Sequence, residues 1–388
     1  MPNYFAYSPE QAELLPRHVR DELPAGHLCF LIHEVIEGLE LSHFDQAYSE
    51  EGQKAYNPRL MLKLWLYGFA VNVRSSRKLE QRIREDLGFR FLAGGLRPDH
   101  KTLSEFVRRH GTAIEELFTQ VLRWARRAGM VKWGRGAIDS RRIKAQASPD
   151  RLQHSDERQV RQWRQRMEQE DPDQDPGLQV EADTAQRLRQ EVARRDSTAA
   201  AKKSSLTDPE ARFLRLRGGK FCLGYSGELA VSEDHFIVAV RVTQQAADNA
   251  SLVPLVQEVE RHCGAQPQQV LADSGFYSGD NLDGLEEKGI DGYVPDSNLA
   301  RELNLGKPAA QPGSVQREAT HRMRQKLRTP EGRRTYLQRK TMVEPVIGVL
   351  KEQRGMRQFL RVGLAAVATE LLLAAISYNL THLHRLQR

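Results

Sequence analysis

Residues 269–276 read Gln-Val-Leu-Ala-Asp-Ser-Gly-Phe. Gln269–Asp273 is a short apolar run that ends on an acid, with Gly275 just beyond as a turn residue. This pattern predicts a buried strand carrying a carboxylate at its carboxy-terminal end. Working outward, Ser251–Cys263 and Ser278–Lys288 have helical periodicity, and Gly292–Pro295 is a further short strand. Upstream, Lys220–Val231 (KFCLGYSGELAV) and His235–Thr243 (HFIVAVRVT) predict two longer strands. Gly136–Ser140 and Ile143–Ala147 predict two short ones about a turn. Strands alternating with helices after a leading antiparallel set indicate an α/β or α+β domain with a mixed sheet.

The chain on either side of this region is helical. Asn57-Pro58 has the form of an N-cap followed by proline at the first helical position. The run Arg59–Val73 behind it is apolar nearly all round, as in a helix buried inside a bundle. Ser76–Leu87 predicts a second helix ending at Gly88, and Thr102 with Glu105 has capping-box spacing. Ile114, Leu117, Phe118, Val121, Leu122 and Trp124 continue the helical period. Residues 1–130 therefore read as a helical domain and residues 131–388 as a second domain. Within the latter, residues 151–205 hold 11 basic and 11 acidic residues with few large apolar ones. That composition predicts an exposed helical or partly disordered insertion. Residues 296–330 read as polar loop, and the chain from Glu331 onward as helix broken near Gly355 and Gly363. The most apolar stretch, Leu364–Leu380, is interrupted by Glu370, Ser377 and Asn379 and is short for a bilayer span, so a buried helix is expected.

Composition narrows the function classes. The chain has 388 residues, 28% of them charged and 39% apolar, with a net charge of +7. A mean hydropathy of −0.60 argues against an integral membrane protein. Cys29, Cys222 and Cys263 are few, far apart and odd in number, which suits a reducing cytosol rather than a disulfide scaffold. The amino terminus, MPNYFAYSPEQAELLP, lacks the basic and apolar segments of a signal peptide. The charge is unevenly placed. Residues 74–135 carry 15 basic against 7 acidic side chains, and residues 314–361 carry 13 against 4. Two such blocks are the electrostatic footprint of a polyanion, because neutralising phosphates releases counterions.

Three acids stand out by position. Asp139 and Asp273 end short apolar strands, and Glu344 lies on the helical stretch TMVEPVIGVLKEQ. Strand-end acids in such sheets project into the crevice where sites form. Two Asp and one Glu brought together can hold two divalent cations, Mg²⁺ or Mn²⁺, which clamp the attacking and leaving oxygens of a phosphoryl displacement. Taken singly, Asp139 could be a turn residue, Asp273 an Asx turn and Glu344 a helix-terminal charge. The spacings, 134 and then 71 residues, leave both readings open. Lys351 lies seven residues after Glu344, so a continuous helix would place both on one side. Lys351, Arg339, Lys340, Arg354 and Arg357, with Arg361, are candidates for DNA backbone contacts.

At these residues the chain resembles the DDE transposases of bacterial insertion sequences, in which a helical amino-terminal domain precedes a ribonuclease-H-like catalytic domain. The amino-terminal resemblance is carried by Tyr56-Asn57-Pro58 with LMLKLWLYG, by Ser76-Arg77-Lys78-Leu79-Glu80 and by Pro98 through Phe106. Ile138-Asp139-Ser140 with Ile143-Lys144-Ala145 is similar to the first-acid motif, and Leu271 through Phe276 to the second. Arg339 through Val346, then Gly348 and Lys351, resembles the third, and Thr207 through Arg212 is also family-like. Two departures stand out: Ser140 follows the first Asp where Gly is frequent, and Tyr336 and Arg339 lie one residue farther from Glu344 than the wider pattern has them. The resemblance implies a ribonuclease-H-like α+β fold, with Asp139, Asp273 and Glu344 as catalytic residues and ligands of two Mg²⁺ or Mn²⁺ ions. The implied partners are double-stranded DNA, as terminal inverted repeats and as target, and further copies of the chain in a homodimer or larger synaptic complex. The expected location is the bacterial cytoplasm, at the nucleoid. The alternatives are a metal-dependent nuclease of the same fold without strand transfer, and a DNA-binding regulator whose acids are structural.

Overall fold

The structure is a computed structural model that describes residues 18–48, 54–147, 152–154, 203–205, 207–216, 220–305 and 317–387. Seven helices come first: α1 (Leu28–Glu37), α2 (Ser42–Asp45), α3 (Pro58–Ala70), α4 (Ser76–Glu85), α5 (Leu87–Ala93), α6 (His100–Arg109) and α7 (Gly111–Arg127). Asn57 does cap α3, its side chain accepting from the Arg59 N–H at 2.8 Å, with Pro58 at the first position. The apolar circumference of α3 is buried from Met61 to Ala70 between α1, α5 and the carboxy-terminal helix. Trp65 Nε1 donates to the Leu103 carbonyl at 3.0 Å, which ties α3 to α6.

Two boundaries differ from expectation. The single helix predicted over Ser76–Leu87 is broken at Asp86, which has extended backbone and whose side chain accepts from the Phe89 N–H. The cap of α6 is Asp99, which accepts from the Thr102 N–H at 2.7 Å, so the helix begins before the expected Thr102–Glu105 box. In both places an Asp satisfies orphan N–H groups at a helix start, a local bond that the hydrophobic period does not reveal.

The second half is built on a mixed sheet. Its strands are β1 (Arg135–Lys144), β4 (Arg212–Arg215), β5 (Phe221–Ser232), β6 (Ile237–Thr243), β7 (Gln269–Ala272) and β8 (Asp291–Tyr293). β2 (Leu152–His154) and β3 (Lys203–Ser205) form a separate antiparallel ribbon at the root of the charged insertion. The expected helical character of that insertion falls on residues outside those described. In the main sheet the order is β6-β5-β1-β7-β8, with β4 beside the other end of β5. β1, β5 and β6 pair antiparallel, while β7 and β8 add in parallel beyond β1. This is the ribonuclease-H-like arrangement of an α+β fold.

β1 is one ten-residue strand, not two short ones about a turn. The polar run Ser140–Arg142 stays extended because β5 pairs with β1 continuously from Gly136 to Lys144. At Gly224 of β5 a Cβ would meet the Ile143 carbonyl oxygen, so a glycine lets the strands approach. The remaining helices are α8 (Leu252–Cys263), α9 (Gly279–Glu287), α10 (Ser297–Leu305), α11 (Glu318–Arg328), α12 (Pro330–Gly348) and α13 (Leu364–Leu386). Both α10 and α11 lie in the stretch read as polar loop. Arg324 of α11 and Asp296, which caps α10, form a shielded ion pair at 2.6 Å, a long-range pairing that holds polar helices in place.

The apolar stretch expected to be a buried helix is α13. It is long and apolar enough to cross a membrane by length and composition, but it lies buried against α3, α7 and β6. Asn379 in its middle accepts from the Ile237 N–H and donates to the Ile237 carbonyl, closing the free edge of β6. Glu370, 1% exposed, pairs with Arg74 at 2.8 Å and accepts from the N–H groups of Leu360 and Arg361. One continuous apolar core runs from Cys29 to Leu383, and all three cysteines are buried and free.

Two predictions follow from buried acids. Arg74→Ala leaves Glu370 charged and unpaired, and is expected to lower unfolding stability by about 3–5 kcal/mol in urea titrations. The double variant Arg74→Met/Glu370→Met should recover most of that loss. Asp208, which closes the insertion, accepts from the Tyr225 hydroxyl at 2.7 Å, and burial pushes its carboxyl up to about 6. It lies in the core, bonded to β5. A raised carboxyl stabilises the fold below its unfolded value, and that contribution is lost as pH rises through about 6. The stability advantage of Asp208→Asn over the parent should therefore grow between pH 4 and pH 7, by on the order of 3 kcal/mol.

Candidate active site

The sheet register brings two of the three acids together. β1 and β7 run parallel with Ile138 opposite Ala272, so the next residues, Asp139 in the middle of β1 and Asp273 just past the end of β7, stand side by side; Asp139 does not end its strand as expected, because β5 carries β1 on to Lys144. Adjacent strands lie about 4.8 Å apart, and residues in register face the same side. The Asp139 side chain is 14% exposed; burial pushes its carboxyl up, Arg339 draws it down, and the Asp273 charge pushes it up again. Asp139 Oδ1 accepts from the Ser140 N–H at 2.8 Å, and Oδ2 from Arg339 Nη1 at 3.0 Å. Asp273 caps the tight turn Ser274–Phe276 through Gly275 N–H at 2.8 Å. The Asx turn is thus present, and it holds this carboxylate at the strand end beside Asp139.

Helix α12 covers this pair. Its buried face is Thr335, Tyr336, Arg339, Met342, Val343 and Val346, and it packs on β1, β5, β7 and β8. Tyr336 and Arg339, one turn apart, both interact electrostatically with Asp273. The guanidinium on Asp139 is therefore that of Arg339, while Lys340 is half-buried beside it. Arg339 Nε is buried without a hydrogen-bond partner among the described residues.

Glu344 is placed differently. It lies on the exposed stripe of α12 with Leu337 and Thr341, about 140° around the helix from Arg339. Among the described residues, the ligand atoms of Asp139, Asp273 and Glu344 do not gather within 4.8 Å of one another. Beyond Gly348 the helix widens into a π turn, Val349–Gln353. The seven-residue argument for Glu344 and Lys351 assumed an unbroken α-helix and does not carry across that turn. Lys351 is half-buried and pairs with Glu352 at 2.8 Å.

Of the cations expected to touch DNA, Arg357 is exposed and pairs with Glu352. Arg354 is not on the surface: it is buried, donates to Thr381 Oγ1 at 2.9 Å, and has its pKa pushed down to about 10 by burial. Arg361 is likewise buried, its guanidinium 5.2 Å from the Trp65 ring centre. Arg354 thus faces α13 and Arg361 faces α3 of the helical region, on either side of Gly355, a residue with φ of +64°.

Sequence reasoning missed Asp248. It lies between β6 and α8 and looks there like an ordinary helix-capping Asp, so only its position before a helix hinted at it. Its carboxylate accepts from Arg142 Nη1 at 2.9 Å and Nη2 at 3.2 Å, and from Ser140 Oγ at 2.7 Å. One group has ion-holding geometry among the described residues, and it is a different one: Glu115 of α7 with Glu258 and His262 of α8. The Arg261 guanidinium already bridges both glutamates, and Thr119 contacts the ring of His262, whose pKa burial pushes down to about 3.

Two families match the chain. The family described as a transposase domain (DUF772) matches residues 17–109, the helical region. The family described as a transposase DDE domain matches residues 196–380, a stretch that holds Asp273, Arg339 and Glu344 and begins after Asp139. No curated protein matches. The helical region and the sheet from β4 onward thus coincide with two transposase families in the order in which the chain runs, and the chain belongs to the DDE transposases of insertion sequences.

Proposed function

We propose that this transposase binds the terminal inverted repeats of its element, hydrolyses a strand at each end, and joins the freed 3′-hydroxyl to target DNA. DNA is the substrate class of the family, and its members generally work with a divalent metal. The observation that carries the reading is the register that sets Asp139 beside Asp273 with Arg339 between them and α12. Two carboxylates side by side, one of them raised by burial and by its neighbour, form a hard oxygen donor set suited to Mg²⁺ or Mn²⁺. Asp139 and Asp273 would hold such ions, two in number; Glu344, the third acid of the family pattern, stands apart from them on the exposed stripe of α12. When bound, the ions supply charge neutralisation and activation of the attacking oxygen. The protein's own groups orient the reaction: Arg339 fixes the Asp139 carboxylate, and Lys340, Lys351 and Arg357 offer cations to phosphates along the strand. Synapsis of two ends calls for a homodimer or larger assembly, acting on the nucleoid in the bacterial cytoplasm.

The test is cleavage of a linear duplex carrying an element end, read beside a gel-shift measurement of end binding. Asp139→Asn and Asp273→Asn are expected to reduce cleavage at least 10³-fold and leave end binding unchanged. Cleavage at the parental rate by Asp139→Asn would remove that residue from the site. Joining of pre-cleaved ends to a target plasmid separates the transposase from a nuclease of the same fold, which yields no joined product. Salt dependence separates the two arginines: Arg357→Ala should flatten the slope of log K against log salt by about 0.9, the value of one phosphate contact. Arg354→Ala should leave the slope unchanged and lower stability instead.

A further inference from the structure

We propose that Asp248 is a positioning residue for DNA cleavage, setting the separation of Asp139 and Asp273 from outside the set of acids; this rests on the reading of that pair as the cation site. Asp248 is nearly buried, and both its oxygens are engaged with β1. Oδ1 accepts from Arg142 Nη1 at 2.9 Å, and Oδ2 from Ser140 Oγ at 2.7 Å and Arg142 Nη2 at 3.2 Å. Arg142 in turn donates to the Ala246 carbonyl at 2.7 Å and to Ser226 Oγ of β5. Ser140 is the residue whose N–H holds Asp139 Oδ1. The backbone on the carboxyl side of Asp139 is thereby clamped by a carboxylate that belongs to a different element.

The same short segment reaches the other acid. A Cβ placed on Gly275 would stand 3.1 Å from Asp273 Oδ1 and 3.3 Å from Asp248 Oδ2, so both carboxylates converge on one glycine. The next residue, Asn249, accepts at its carbonyl from Asn281 Nδ2 at 2.6 Å. Asn281 is buried, and the same amide donates to the Phe276 carbonyl at 2.7 Å, at the end of the turn that Asp273 caps. Residues 248 and 249 are therefore bonded on one side to the strand that carries Asp139 and on the other to the turn that carries Asp273. Two like charges held side by side repel, and a rigid tie between their backbones resists that repulsion and keeps the donor oxygens in place before a cation arrives. The Arg142 fork neutralises Asp248 itself, so it adds no third negative charge to the pair.

The test uses the full chain and Mn²⁺ alone, its binding followed by the electron paramagnetic resonance signal of the free ion. Asp248→Asn keeps the shape of the side chain and is expected to weaken Mn²⁺ binding 10–100-fold, to move the Mn²⁺ midpoint of cleavage upward by the same factor, and to leave metal-free end binding unchanged. Ser140→Ala, which removes one bond and keeps the Arg142 pair, should move the midpoint in the same direction by a few-fold, and it carries the test if Asp248→Asn does not fold. Arg74→Ala is the control for lost stability at a distance and should not move the midpoint. A parental midpoint in both Asp248→Asn and Ser140→Ala, or an equal shift in Arg74→Ala, overturns the proposal. If Asp139→Asn binds Mn²⁺ as tightly as the parent, the reading of the cation site fails first and the proposal falls with it.

Discussion

A carboxylate almost wholly withdrawn from water, Glu370, sits where the helical region meets the sheet, and Arg74 is the charge that makes this tolerable. Arg74 lies between α3 and α4, and it also donates to the carbonyls of Gly355 and Gln358. Glu370 accepts from the backbone of Leu360 and Arg361. The segment that follows α12 is thus gripped between a cation of the helical region and an anion of α13. A buried charge with one satisfying geometry costs several kcal/mol in any other, so this pair sets how the helical region sits against the segment between α12 and α13. Because α13 packs on α3, α7 and β6 at once, the two regions share one core and do not swing as independent bodies across a polar seam.

The same device recurs around the acids of the sheet. Asp139 faces Arg339, Asp248 faces Arg142, and Glu370 faces Arg74, each in a shielded setting. Arginine suits all three places because its guanidinium is weakly hydrated, always charged, and able to donate along two directions at once. The consequence at the site is a graded field. Burial and the neighbouring Asp273 raise the Asp139 carboxyl while Arg339 restrains it, so the pair remains a strong oxygen donor set without being left wholly uncompensated.

Much of the architecture was legible because it depends on local patterns. The cap at Asn57-Pro58, the strands over Lys220–Val231 and His235–Thr243, and the acid-ended strand at Gln269–Asp273 all follow from periodicity and turn chemistry, and they recur within a residue or two in the structure. Residues whose state depends on a distant partner were not legible. The polar run Ser140–Arg142 looks like a turn until β5 and Asp248 are placed beside it. The polar stretch after residue 296 looks like loop until Arg324 meets Asp296. Arg354 and Arg361 look like a solvated basic face until Thr381 and Trp65 are placed beside them.

The candidate site divides in the same way. The sequence alone determined that Asp273 ends an apolar strand, because a strand's burial and its terminating turn are written in neighbouring residues, whereas Asp139, expected at a strand end, lies in the middle of β1. It also determined that Glu344 rides on a helix rich in basic side chains. Only the tertiary structure decided that β1 and β7 lie parallel in a register that sets the two aspartates side by side, that Arg339 and not Lys340 faces Asp139, and that Asp248 ties the pair from behind. It likewise decided that Glu344 stands on the exposed stripe of α12, apart from the other two acids. These depend on which strands become neighbours and on how a helix is rotated against a sheet, and both are settled by packing between residues tens to hundreds of positions apart, which leaves no mark in any short stretch of chain.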